Sequence, residues 1–343
     1  MQFVFSSNNS YVPYLYVCLN SFRDCISDKD DYQINILYTD ISEENKKVLQ
    51  KLETSDFHIH FKNVKEYVDG FKDIFHINSH FSVETYFRFF LPEIFKEEEK
   101  IVYVDCDTLI LKNPKELFDK ILGDNYIGAA RELEIVREIQ TNGRKVKQYM
   151  TEVLGLKNPL DYIQAGCLIM NLKKMREDDV LSKLLQTLEK IKTPKYVDQD
   201  VFNIVCEEKV VFLEQNWNYA WYLPLVDSEY YEHLGEPYNE MYQNARKNPY
   251  IIHFAGREFK PESYPKQPEA QLFLKYALNS PFEEFFRRKM AEKENERKEI
   301  LYEKEKRLAK YRFLSRITFG KMRKRYLEKV EKVEKRIENL KKL

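Results

Sequence analysis

Ile101-Val102-Tyr103-Val104-Asp105-Cys106-Asp107 is an apolar run that stops at two carboxylates one residue apart. A short run rich in β-branched residues reads as a buried strand. Side chains at i and i+2 of an extended segment share a side, so the spacing predicts that Asp105 and Asp107 converge on one point. Two hard oxygen donors suit Mg²⁺ or Mn²⁺. Open α/β sheets bind ligands where their strands end at the carboxyl side. The stretch therefore predicts a metal-assisted nucleotide site in an α/β domain.

Working outward, the flanking chain alternates in period. Phe3-Val4-Phe5, Ile34 to Tyr38 and Phe57 to Phe61 read as strands, and Tyr14 to Phe22 as a helix. Ser42 reads as the N-cap of a helix reaching about Leu52. Ser82 to Phe95 reads as an aromatic-rich helix. Downstream, Thr108 to Leu111, Tyr126 to Ala130, Cys167 to Asn171, Val210 to Leu213 and Tyr250 to Phe254 read as strands. Val180 to Leu188 and Val201 to Val205 read as helices, with Asp198-Gln199-Asp200 just ahead of the second. Arg131 to Tyr162 is polar and reads as irregular, a lid or an insertion. Trp217, Tyr219 and Trp221 read as core, and His58 and His60 as surface. This β-α-β-α-β rhythm predicts a largely parallel sheet covered on both faces.

Composition narrows the class. No stretch approaches the roughly 20 apolar residues that span a bilayer, and Gln2-Phe3-Val4-Phe5 is too short for a signal peptide. The five cysteines (Cys18, Cys25, Cys106, Cys167, Cys206) are odd in number and form no CxxC pair. That argues against disulfides and zinc, and for a reducing cytoplasm. The net charge of zero hides an asymmetry. Arg287 to Leu343 holds 22 Lys/Arg and 10 Asp/Glu, leaving 34 and 46 in the preceding residues.

An acidic body thus carries a basic tail, which predicts a polyanionic partner. The expected division is residues 1–281 as a catalytic domain and 282–343 as a helical tail. Tyr326, Val330, Val333, Ile337 and Leu340 follow a 4-3-4-3 spacing, which suits a short coiled coil, a route to homo-oligomers, or a helix lying on a surface. Phe313, Leu314, Ile317 and Phe319 are interleaved with Arg312, Arg316, Lys321, Arg323, Lys324 and Arg325. Apolar groups among cations fit a segment binding anionic lipid, with the protein peripheral on the inner face of the plasma membrane. No base-reading motif supports nucleic acid as the partner.

A lone pair of aspartates is weak evidence, since a solvated strand-end turn gives the same pattern. His253-Phe254-Ala255-Gly256, leading to Lys260-Pro261, strengthens it. A neutral imidazole can serve as a third metal ligand, and Lys260 can meet a diphosphate as a compact cation. Phe5-Ser6-Ser7-Asn8, Tyr86-Phe87-Arg88, Gln164-Ala165-Gly166 with Asn171 to Lys174, and Asp198-Gln199-Asp200 complete an ordered series with Asp105-Cys106-Asp107. The series resembles glycosyltransferase family 8, the bacterial lipopolysaccharide and lipooligosaccharide galactosyl- and glucosyltransferases and their glycogenin relatives, from Phe3 to about Pro261.

The resemblance implies a GT-A-type nucleotide-sugar-binding fold. It implies a retaining hexosyltransferase that uses UDP-glucose or UDP-galactose and a saccharide or lipid-linked saccharide acceptor. Ser6, Ser7, Asn8 and Tyr11 would hold uracil and ribose, and Arg88 would approach the donor sugar and phosphates. Asp105, Asp107 and His253 would hold Mn²⁺ or Mg²⁺, with Cys106 among the donor-binding residues. Gly256 and Lys260 would cover the diphosphate. Ala165, Gly166, Asp198 and Gln199 would line the sugar, Asp198 and Gln199 as the catalytic pair.

The chain departs from the family pattern at three places. Asn8 stands where a uracil-reading Asp is usual, although its amide oxygen can accept from uracil N3–H. Gln164 replaces an Asn, and Glu262 replaces a Trp. Phosphatases also place two aspartates at a strand end, but on the first strand of their domain, and with Thr or Val where Leu109 stands here. Sugar nucleotidyltransferases need a Gly-rich loop, and Ser6 to Ser10 has no glycine. A membrane-associated adaptor with an inactive body is the alternative outside enzymology.

Overall fold

Phe3, Val4 and Phe5 are all fully buried, so the first strand must be covered on both faces. This strand, β1 (Gln2–Ser6), pairs in parallel with β2 (Tyr32–Tyr38), which pairs in parallel with β3 (Phe57–Asn63). Its other edge takes β4 (Lys100–Val104), also parallel. On one face Phe22, from the helix Val12–Arg23, packs edge-on against Phe3, Tyr32 and Phe57 at 4.9–5.6 Å. Removing such a ring costs about 3–5 kcal/mol. On the other face Val4 and Tyr103 join a core with Tyr86, Leu168, Met170 and Phe202. The computed structural model describes all residues except 28, 76, 78–81, 142, 222–233, 257–258 and 343. The described residues form two compact units, one ending at Ala255 and the other beginning at Gly256.

β5 (Thr108–Ile110) leaves the large sheet altogether, and Leu111 lies outside the strand. The large sheet continues with β6 (Ile127–Arg131), β7 (Ile163–Asn171) and β8 (Val210–Phe212), in the order β3-β2-β1-β4-β7-β6-β8. β7 is antiparallel to both neighbours, while β8 is parallel to β6, so the sheet is mostly parallel with one reversed strand. An antiparallel neighbour needs no crossover, so the helices between β6 and β7 are an addition to the sheet's connectivity and not a requirement of it. β9 (Tyr219–Ala220) and β10 (Ile251–His253) complete a small second sheet, β5-β10-β9.

Three local expectations are corrected. Residues 83–90 form a 3-10 stretch, and only Leu91–Ile94 is α-helical. Pro92 explains the break, because it offers no N–H to the Arg88 carbonyl and its ring crowds that group. The segment 131–162 is not irregular. It carries the helices Leu133–Thr141 and Arg144–Gln148 and a π-turn, Tyr149–Val153. Ile135, Met150, Leu154, Leu156 and Tyr162 give it a small core of its own. Asp198, Gln199 and Asp200 lie inside the helix Val197–Cys206 rather than before it. The helix dipole favours carboxylates in a first turn.

In the second unit, the helices Glu283–Ile317 and Gly320–Lys342 form an antiparallel hairpin. Gly320 has φ +58, which suits the tight turn between them. Arg312 pairs with Glu334 at 2.6 Å and Lys341 with Glu305 at 3.3 Å across the hairpin. The 4-3-4-3 seam is filled by the same chain: Ile337 is buried, and Tyr326 lies 6.2 Å from Tyr311. The seam therefore gives no argument for a second copy.

Candidate active site

The large sheet hands over to the small one at Asp105 to Asp107. β4 ends at Val104, and these residues form a bend, so the two carboxylates meet through that bend and not along an extended strand. Backbone bonds fix it: Asp105 N–H donates to Gly166 O at 2.8 Å and Phe254 N–H to Asp107 O at 3.0 Å. β10 runs antiparallel to β5 with His253 opposite Thr108. That register brings the imidazole to the bend, with His253 Nε2 3.3 Å from Asp107 Oδ1 and 3.8 Å from Asp105 Oδ2.

Which nitrogen of His253 carries the proton follows from two amides. Gln164 Oε1 accepts from Gly166 N–H at 2.5 Å and from Asn218 Nδ2 at 2.6 Å. Asn218 is thereby oriented with Oδ1 toward His253 Nδ1, at 3.1 Å. Nδ1 is then the donor, and the Nε2 lone pair faces the carboxylates. Gly166 supplies the room, since a Cβ there would stand 2.2 Å from His253 Cε1 and 2.8 Å from Asp105 Oδ2.

Each of the three residues offers one ligand atom, and these lie within 4.8 Å of one another. One cation with bonds of about 2.0–2.6 Å can reach them all. The donor set, two carboxylates and an imidazole nitrogen, fits a first-row divalent ion. Asn218 was not singled out in the sequence. Its only signal is a polar residue between buried aromatics, one position before a strand that pairs with that of His253.

Arg88 organises the carboxylates beside this cluster. It is 4% exposed, its Nη2 is 3.1 Å from Asp105 Oδ1, its Nε is 3.1 Å from Asp198 Oδ2, and its Nη1 donates to Ala165 O. The guanidinium lies over the Tyr103 ring at 4.4 Å, and Tyr103 OH donates to Asp105 Oδ1 at 3.0 Å. Asp105 Oδ1 is thus committed to the protein, while Oδ2 faces His253. Burial opposes the Arg88 charge, but Asp105 and Asp198 outweigh it and raise its pKa. Asp198 is 2% exposed and also accepts from Thr85 Oγ1. Its Oδ2 is within ion-pair range of Arg88 yet makes no hydrogen bond. Burial pushes this carboxyl up to about 6 against the pull of Arg88 and Thr85.

Gln199 Oε1 accepts from Ala165 N–H at 2.9 Å, which ties the helix start to β7. At the end of β1, Ser6 and Ser7 are buried and Tyr11 packs its ring against Tyr14 at 5.1 Å. Asn8 caps the following turn, and its Oδ1 accepts from Tyr11 N–H and Ser10 Oγ while Nδ2 donates to Glu84 Oε2. Its oxygen is therefore already engaged, and the expected acceptance from uracil N3–H meets a competing local bond. Cys106 points inward, its Sγ donating to Ser6 O at 2.8 Å with burial raising its pKa, so only its backbone faces outward. Gly256 (φ +87) and the buried Lys260 belong to the second unit. Trp217, Tyr219 and Trp221 are buried, as expected. His58 has a carboxylate neighbour the sequence did not suggest, Asp31 at 3.3 Å.

A family model described as glycosyl transferase family 8 matches residues 2–263. The chain is 29% identical over 222 residues to a candidate glycosyltransferase of Haemophilus influenzae, 64% of this chain and 63% of that protein. It is 24% identical over 202 residues to the lipopolysaccharide 1,3-galactosyltransferase of Salmonella typhimurium, 58% of this chain and 55% of that one. It spans less than two-thirds of the length of both relatives. Among solved structures, the apo form of the bifunctional glycosyltransferase WbbM matches with a TM-score of 0.74 at 26% identity, over 85% of this chain and 52% of that one. The galactosyltransferase LgtC, solved with donor and acceptor sugar analogues, matches with a TM-score of 0.64 at 24% identity, over 82% and 96%. The fold is of the GT-A type. With the motif blocks in order and the family model covering most of its length, the chain belongs to glycosyl transferase family 8.

Proposed function

We propose that this chain transfers a hexose, glucose or galactose, from a UDP-sugar to a saccharide acceptor with retention of anomeric configuration, in cell-surface polysaccharide or lipopolysaccharide synthesis. The observation that carries this reading is the Asp105–Asp107–His253 cluster with its Nε2 lone pair turned inward by Asn218. These three residues would hold Mn²⁺ or Mg²⁺. The ion, when bound, supplies Lewis-acid stabilisation of a diphosphate leaving group.

The family resemblance gives the protein's own residues the remaining roles. Ser6, Ser7, Asn8 and Tyr11 would receive the nucleoside, and Gly256 and Lys260 would meet the diphosphate, with Lys260 adding positive charge where negative charge develops. Ala165, Gly166, Asp198 and Gln199 line the sugar. Arg88 serves them indirectly, by holding Asp105 and Asp198 in place. Positive charge on the departing sugar favours an ionised carboxylate nearby, as in glycoside hydrolysis. Asp198 fits that role better than that of a nucleophile, because it is buried against Arg88 and Thr85. An uncharged amide such as Gln199 is a poor nucleophile, so the reading favours front-face attack by the acceptor hydroxyl, assisted by the departing phosphate. No observation favours the phosphatase reading.

The hairpin supports a second element of the proposal, docking on an anionic membrane at the cytoplasmic face. No described helix is long and apolar enough to cross a membrane. Between Lys306 and Leu327 there are nine Lys/Arg and no Asp/Glu. Phe313, Ile317, Phe319 and Met322 are 54–83% exposed in that stretch. Apolar side chains ringed by cations insert at a lipid interface.

A panel of UDP-sugars assayed with and without Mn²⁺ tests the enzyme, with the product anomer read by NMR. Metal-dependent UDP release that is lost in Asp107→Ala is expected, and orthophosphate release from monoesters or an absence of UDP binding would contradict it. Truncation after Pro281 is expected to abolish sedimentation with anionic vesicles and to spare turnover on soluble acceptors. Equal sedimentation of both forms would remove the membrane element.

A further inference from the structure

The helix that carries Asp198 and Gln199 begins on an unfavourable residue. Val197 has φ +42, a conformation that β-branched side chains rarely adopt. It is 1% exposed and belongs to the main core, so it cannot relax toward solvent. Something must over-determine the turn for it to persist.

Asp200 and two tyrosines from the 131–162 segment supply that restraint. Tyr162 OH donates to Asp200 Oδ1 at 2.7 Å, and Tyr149 OH to Asp200 Oδ2 at 2.6 Å. The same Oδ2 accepts Tyr196 N–H at 2.8 Å, and Tyr149 OH accepts Lys195 N–H at 2.7 Å. The two backbone N–H groups just before Val197 therefore both end on the Asp200–Tyr149 pair. Asn203 holds the other side, bonding Ile163 N–H at 2.7 Å and Ile163 O at 3.0 Å, and donating to Gln199 O at 2.8 Å. Tyr149 opens the π-turn Tyr149–Val153, and π-turns inside helical segments recur at functional sites.

We propose that Asp200, Tyr149 and Tyr162 are positioning residues that hold the Val197 turn, so that Asp198 is delivered to Arg88 and Gln199 to the edge of β7. On this account the 131–162 segment is a buttress for the catalytic helix and not a lid. Asp200 acts through its neighbours and not on substrate, since both of its oxygens are taken by protein donors. Burial raises its carboxyl pKa while the tyrosines oppose that rise, as expected of a structural anchor. The proposal rests on the transferase reading for its kinetic consequence, but not for its physical one.

A double-mutant cycle between Tyr149→Phe and Val197→Gly tests it. Glycine reaches positive φ freely, so the turn no longer needs the clamp. Tyr149→Phe in the native background is expected to lower kcat about 10-fold or more while KM for the UDP-sugar shifts less than about twofold. In the Val197→Gly background the same change is expected to cost several-fold less. The packing lost on removing the valine side chain enters both legs and cancels. Additive effects, or a Tyr149→Phe variant with lowered melting temperature but unchanged kcat, would overturn the proposal. If the wild-type chain turns over no UDP-sugar, the transferase reading fails, and the cycle is read in thermal unfolding instead. Coupling there upholds the clamp, and additivity ends it.

Discussion

Two regions of this chain carry their charge in opposite ways. Around Asp105 the charged side chains Arg88 and Asp198 and the imidazole of His253 are almost withdrawn from water, and each has a fixed partner. Along the helical hairpin the ion pairs are solvent-exposed, within one helix as in Arg287–Glu283, Lys293–Glu296 and Lys298–Glu294, or between the two as in Arg312–Glu334. A buried pair whose partner is removed leaves an uncompensated charge and costs several kcal/mol. An exposed pair contributes about 0–1 kcal/mol. The first region therefore works through mutual orientation, and single substitutions should be severe. The second works through summed charge, and single substitutions should be mild.

The sharpest way to break that contrast is Gly166→Ala. The added methyl collides with His253 and Asp105, so metal-stimulated turnover should fall by more than the about 10–100-fold that loss of an outer partner costs. Turnover close to wild type would show that the cluster is not held as described. Asn218→Ala should cost about 10–100-fold in Mn²⁺ affinity and be restored by excess metal. A loss insensitive to added Mn²⁺ would point to a folding defect instead.

Asp198 gives an effect of intermediate size. Its carboxyl keeps its proton to about pH 6 in the folded chain, against an ordinary 3.8. Folding then takes up a proton between those values, so stability falls as pH rises through that window. Asp198→Asn should remove this dependence, and the melting-temperature difference should move in the variant's favour from about pH 4 to about pH 7. A difference that stays flat with pH would mean Asp198 ionises normally. The smallest effect belongs to the hairpin: Lys324→Ser should change turnover on a soluble acceptor less than about twofold and weaken vesicle binding slightly, by about 1 kcal/mol. A large loss of turnover would mean that the basic region takes part in chemistry.

The sequence was readable where burial writes a simple pattern. β1 and β2 are largely apolar segments of strand length, β3 alternates apolar and polar residues, and each forms a strand. Asp105, Asp107 and His253 were readable as a set because the blocks stand in order, and the structure brings them together. Direction was not readable: nothing in Ile163 to Asn171 says that the strand runs backwards. Nor was local competition. Asn8 looks free to meet a base until its oxygen is seen capping the next turn. The acidic triplet looks like a loop because a valine at positive φ, which no propensity suggests, starts the helix one residue earlier. In the hairpin the seam was visible but its partner was not, because Tyr311, which packs against Tyr326, stands among charges with no matching apolar repeat around it.

Mn²⁺ titration of the full chain followed by EPR, in the presence of UDP, tests the central claim most directly. One ion per chain is expected, with binding lost in His253→Ala and Asp107→Ala and unchanged in His58→Ala. Undiminished binding in His253→Ala and Asp107→Ala would contradict the site.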